Sequence, residues 1–255
     1  MPSHRIHREC GVSIGLPEDV VEFVDKLIDS GRCGEHDIGL ELLKGLISEE
    51  YNLGVVIKHG VKALFECLQE LGRNDEVHLK AVALHFILDY VDRQMKVFGT
   101  WCKENPEKFL QYCVKRMEEK WITQLNRYFF GSEDVKKQID KLLQHTHTLV
   151  EKHKEDLKKC VIAIAEENEK IKGISPIGPA TLTQLLSEVC NKLNAKGLFY
   201  INIRSKPLPL ASAVTSAYSM LKKGEPVELA SEDGKVKITA QSVNEFLEKL
   251  LQFLM

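Results

Sequence analysis

The chain has 255 residues, 44% of them hydrophobic, enough to bury a substantial core in one or two domains. Lysine and arginine total 35 against 37 acids, so no global charge field draws it toward nucleic acid or anionic lipid. The seven cysteines are dispersed without a Cys-x-x-Cys pair, which reads as reduced thiols in a cytoplasmic protein; no signal-peptide core opens the chain, and no segment approaches the ~20 apolar residues of a membrane span.

In chain order, Pro17, Glu18 and Asp19 suit a helix N-terminus, and the stripe Val20, Val21, Val24, Leu27 and Ile28 predicts a helix that ends at Gly31 to Gly34. Asp25 and Asp29, aligned with Glu18 and Glu22, read as its solvated face. A second helix is expected from near His36 and a third from about Leu53 to Leu71. After Asn74 and Asp75, a fourth carries Val77, Ala81, Leu84, Leu88, Val91, Met95 and Phe98 at alternating spacings of four and three, so one face must pack continuously against other helices. Another follows from about Pro106 to Phe130. From Ser132 the stripe Ile139, Leu142, Thr146, Leu149, His153, Leu157, Cys160, Ile164 and Ile171 predicts one long helix or two joined ones, best covered by antiparallel pairing with the preceding helix.

The stretch Gly173 to Pro179 holds two glycines and two prolines and cannot continue a helix, so it divides the chain. Beyond it come a helix, the strand-like Leu198 to Arg204, a small-residue helix from Leu210 to Lys222, and two strands flanking Asp233-Gly234, a hairpin signal. Thr239 can cap a last helix rich in leucine. The expectation is a mainly α protein: a helical domain over 1–131, a long helical arm over 132–172, and a small β-α-β-β-α domain over 173–255.

All nine histidines precede residue 154, and six fall within the first 85. His85 and Asp89 sit one turn apart on the fourth helix, and Asp92 extends their strip. A divalent ion needs imidazole nitrogens and carboxylate oxygens converging from separate elements, with an open position for water if the site is catalytic. Taken singly, His85 and Asp89 also suit an ordinary helix-surface hydrogen bond, and Arg5 and Arg8 either a phosphate contact or a solvated basic tail.

The string His36-Asp37-Ile38-Gly39 resembles the signature doublet of the HD superfamily of metal-dependent phosphohydrolases, which are all-helical. That resemblance implies a divalent metal ion held by an upstream His (His4 or His7), the doublet His36 and Asp37, and a downstream Asp (Asp89 or Asp92). His85 would then serve as a supporting partner or general acid, beside Asp92. The stretch from Tyr200 to Leu250, with Ser205-Lys206-Pro207 and Gly224 to Ala230, resembles the Alba family of small nucleic-acid-binding proteins, which implies that Arg204 and Lys206 contact phosphates.

Two functions of different class follow. One is a metal-dependent phosphohydrolase acting on a nucleotide or a nucleic-acid phosphoester. The other is a non-enzymatic interaction or nucleic-acid-binding protein that assembles, for example as a homodimer, through the long helix.

Overall fold

A computed structural model of the chain describes residues 2–29, 67–128, 133–173, 176–202 and 206–255. It is mainly helical, with a small four-stranded antiparallel sheet toward the C-terminal end. The chain forms two compact units, one from residues 1–94 and 106–171, the other from 95–105 and 172–255. Among the described residues no helix is long and apolar enough to cross a membrane.

The first unit opens with α1 (His4–Ser13) and α2 (Glu18–Asp29). Ser3 caps α1, its Oγ accepting from the Ile6 N–H, and its own N–H donates to Glu167 Oε2 at 2.9 Å. Gly15, at a φ of +82°, turns the chain out of α1, a conformation open to glycine at no steric cost. The stripe expected of α2 is buried throughout, from Val20 to Ile28. Where the two helices touch, Gly11 lies against Val21 so closely that a β-carbon at Gly11 would overlap the valine.

Helix α3 (Glu76–Phe98) starts at Asp75, whose Oδ1 accepts from the N–H groups of Val77 and His78 at 3.0 and 3.1 Å. Its 4,3 stripe is buried from Ala81 to Phe98, whereas Val77, in the first turn, is 38% exposed. Val82, Ala83 and Ile87 are buried as well, so α3 is covered on more than the one face that the spacing predicts. After the short α4 (Trp101–Glu104) come α5 (Pro106–Tyr128), α6 (Glu133–Lys152) and α7 (Lys154–Lys172). The segment expected as a long helix or arm is thus two helices that part at His153, and it belongs to the first unit. Ile171, the last of its expected stripe, is the one that the helix end leaves exposed. Its partner α5 runs antiparallel to it: His147 Nε2 lies 2.9 Å from Glu118, and Lys158 lies 3.6 Å from Glu107.

The thiols depart from expectation. Cys10 on α1 and Cys160 on α7 form a disulfide with their Cα atoms 5.8 Å apart, and Cys67 is also disulfide-bonded; Cys102, Cys113 and Cys190 are free and buried. Reduced thiols throughout were inferred from the lack of regular spacing, but a pair 150 positions apart is brought together by packing and leaves no spacing to read.

The second unit contains α8 (Pro179–Leu193), β1 (Leu198–Ile201), β2 (Leu208–Pro209), α9 (Leu210–Lys222), β3 (Val227–Ser231), β4 (Lys237–Ala240) and α10 (Val243–Leu254). The strand order is β2-β1-β3-β4, with Tyr200 opposite Ala230 and Leu229 opposite Ile238. The two-residue β2 adds a strand to the expected order; its Pro209 is tolerated because β2 lies at the sheet edge. Asp233-Gly234 makes the expected hairpin, with Gly234 at a φ of +70° and Ser231 Oγ donating to Asp233 Oδ1 at 2.7 Å. Thr239 lies in β4, and the cap of α10 is Ser242, whose Oγ accepts from the Glu245 N–H at 3.1 Å while Glu245 Oε2 accepts from the Gln241 N–H at 2.8 Å.

Replacing Gly11 with alanine is expected to push α1 away from α2 and lower stability by about 1–3 kcal/mol, the usual cost of overpacking a stiff contact. Urea denaturation of Gly11→Ala against wild type measures it. An unchanged midpoint would show that Val21 yields freely.

Candidate metal centre

Each of three helices of the first unit contributes a pair of polar side chains about one turn apart. His4 and His7 lie three apart on α1, Asp25 and Asp29 four apart on α2, and His85 and Asp89 four apart on α3, so each pair shares one helix face. Helix α1 approaches α2 closely because Gly11, one turn beyond His7, carries no side chain. His7, Asp25 and His85 are 2–3% exposed and Asp89 is 6% exposed. At the rim, Asp29 is 17% and His4 57% exposed.

Asp25 is the hub. The His85 Nδ1–H donates to Asp25 Oδ1 at 3.0 Å, and His7 Nδ1 lies 3.0 Å from the same oxygen, while His4 Nδ1 meets Oδ2. Asp89 lies across the two inner rings, 3.5 Å from Nε2 of His7 and 3.5 Å from Nε2 of His85. Asp29 lies 3.6 Å from His4 Nε2 and 3.8 Å from His85 Nε2. The rings of His7 and His85 stack, with centroids 4.6 Å apart and planes inclined by 14°.

Burial disfavours charge on His7, Asp25 and His85, but the opposite charges beside them outweigh it. The His85 imidazole, flanked by Asp25 and Asp89, is pushed up to about 9. His7 is raised for the same reason, against the repulsion of His85. The Asp25 carboxyl, approached by both imidazoles, is held well below the usual carboxylate range. His85 is thus held in its charged form beside the Asp25 carboxylate, with its ring stacked on that of His7.

The donor set fits a metal ion. Donor atoms of His7, Asp25 and His85 lie within 4.8 Å of one another, and so do those of His4, Asp25 and Asp29. An ion about 2.0–2.2 Å from each ligand in tetrahedral geometry needs ligands roughly 3.3 Å apart, close to the spacings around Asp25. Neither nitrogen of His7 makes a hydrogen bond among the described residues, although both are buried; a polar atom in that position calls for a partner. Mixed imidazole and carboxylate donors suit zinc, iron or manganese better than copper(I) or calcium.

Of the residues expected from sequence, the structure brings together His4, His7, His85 and Asp89. His36 and Asp37 lie outside the described residues, and so does Arg204. Asp92 is buried and accepts from Asn168 Nδ2 at 2.6 Å, an attachment of α3 to α7 within the first unit. Lys206 is exposed in the connection between β1 and β2. His78, elsewhere on α3, donates from Nδ1 to Asp75 Oδ2 at 2.7 Å.

The residues missed were Asp25 and Asp29. Reading them as a solvated face is overturned for Asp25, which is 2% exposed. The signal was present: Asp25 stands four residues after Val21 and three before Ile28, on the buried line of α2, as well as in line with Glu22. Compared with family models, with characterised proteins and with solved structures, the chain matches none.

Truncating the hub tests its role. Asp25→Ala removes the carboxylate that three imidazoles face, leaving buried positive charge uncompensated, and should cost about 3–5 kcal/mol in metal-free protein near neutral pH. Chemical denaturation in the presence of a chelator reads this out. A loss below about 1 kcal/mol, the level of an exposed pair, would mean that the hub is not held as described.

Proposed function

We propose that the first unit is a metal-dependent phosphohydrolase, with a divalent ion on His7, Asp25 and His85 and a phosphoester of a nucleotide or nucleic-acid end as substrate. The observation that carries this reading is the buried pair of His7 nitrogens, which make no hydrogen bond among the described residues and yet face Asp25 and Asp89. His85 moves from the supporting or acid role expected of it into the ligand set. The resemblance of His36-Asp37 to the HD doublet points the same way.

A divalent ion in this position supplies Lewis acidity and a water of lowered pKa. The rest of the chemistry belongs to the side chains. Asp25, whose Oδ1 lies 3.0 Å from Nδ1 of His85, would hold that ring beside the ion, and Nε2 of His85 lies 3.5 Å from Asp89. Asp89, held beside both inner rings, is placed to take a proton from a nucleophilic water. The site reaches solvent at His4 and Asp29, where a substrate can enter.

Arg5 and Arg8, adjacent in sequence to His4 and His7, line an open groove of about 500 Å³ together with Glu9, Val12, Ser13 and Glu18. Arg5 pairs with Glu9 at 2.8 Å and Arg8 with Glu22 at 3.9 Å, both partly or fully in solvent. Exposed pairs of this kind are worth little, so either guanidinium can leave its carboxylate for a phosphoryl oxygen.

The test is a metal-stripped full chain reloaded separately with manganese, zinc and iron(II), assayed on a bis-aryl phosphodiester, on nucleoside mono- and triphosphates, and on short oligonucleotides. At least one ion should restore hydrolysis, His7→Ala and His85→Ala should return it to the metal-free level, and Arg8→Ala should raise KM. Metal-loaded protein that cleaves none of these phosphoesters would sink the hydrolase reading.

A further inference from the structure

The two oxygens of Asp25 face different ligand sets. Oδ1 is approached by His7 and His85, each at 3.0 Å, in the buried part of the cluster. Oδ2 is turned toward His4, whose other nitrogen lies 3.6 Å from Asp29. Oδ2 is itself buried, so its contact with His4 is made out of water. A carboxylate that presents one oxygen to each of two donor triads has the geometry of a bridge between two ions, which in hydrolytic two-metal sites lie about 3.5–4 Å apart.

We propose that Asp25 bridges two divalent ions, the inner one on His7 and His85, the outer one on His4 and Asp29. The proposal rests on the inner site proposed above and adds to it a second, exchangeable ion. The two differ in exposure. The inner triad is buried, whereas the outer one is formed by a His that is 57% exposed and an Asp that is 17% exposed. The outer ion therefore lies nearer to solvent, and it leaves first.

Manganese(II) titration of the metal-stripped full chain, followed by calorimetry and by electron paramagnetic resonance, tests the pair. Wild type should take up two equivalents, the second more weakly, and the doubly loaded protein should show the exchange-broadened spectrum of a coupled pair. His4→Ala and Asp29→Asn, both altering rim groups, should each reduce uptake to one equivalent with the spectrum of an isolated ion, with helicity unchanged by circular dichroism. One equivalent in wild type, unaffected by His4→Ala, would overturn the second site and leave the inner one standing. Two equivalents that persist in His4→Ala would also overturn it. No uptake at all would remove both sites together.

Discussion

The buried carboxylate of Asp25 sets the terms for the first unit. Taking a charged group out of water costs several kcal/mol, and the attraction of nearby opposite charges offsets this only when the geometry is close and the lone pairs are satisfied. Here α1 contributes two imidazoles and α3 a third, so the carboxylate is compensated only when both helices are docked on α2. A misplaced α1 would strand an ionised group, and that makes the ionic network a check on register as well as a source of ligands. The apolar contacts around it, from Ile6 and Cys10 on α1 to Val24 and Ile28 on α2 and Leu84 and Leu88 on α3, supply the burial that brings the charges together.

The arrangement also explains why the ligands lie on three helices at one-turn spacing and not in a compact sequence motif. A helix offers neighbouring side chains only at three- and four-residue intervals, so each can give one face-sharing pair. Donor atoms of His7, Asp25 and His85 thereby fall within 4.8 Å of one another, as do those of His4, Asp25 and Asp29. Asp92, one turn beyond Asp89, already faces elsewhere and bonds Asn168.

How much of this was legible in the sequence depended on the kind of signal. Periodicity located α2, α3 and the α5–α6 pairing because each buries a stripe that repeats many times. Asp233-Gly234 marked the β3–β4 turn, because those residue types carry a backbone requirement of their own. Histidine clustering drew attention to His4, His7 and His85, and one-turn spacing to Asp89. Asp25 was misjudged because a carboxylate on an amphipathic helix belongs by default to the solvent side, and only the positions of imidazoles on other helices reverse that. The Cys10–Cys160 link, the edge strand β2 and the choice of Ser242 over Thr239 as a cap likewise depend on three-dimensional neighbours, which no local pattern encodes.

The Cys10–Cys160 disulfide changes the connectivity of the molecule. Because it joins the first helix of the unit to its last, the 149 residues between the two cysteines form a closed covalent ring, with the chain leaving it at both ends. A single break in any surface loop of that ring would leave one molecule of unchanged mass apart from the added water. Helices α1, α2 and α3 would remain tethered whichever side of the break they fell on. The ligand-bearing helices thus stay covalently joined after any single scission along the ring, until a reductant opens the disulfide as well.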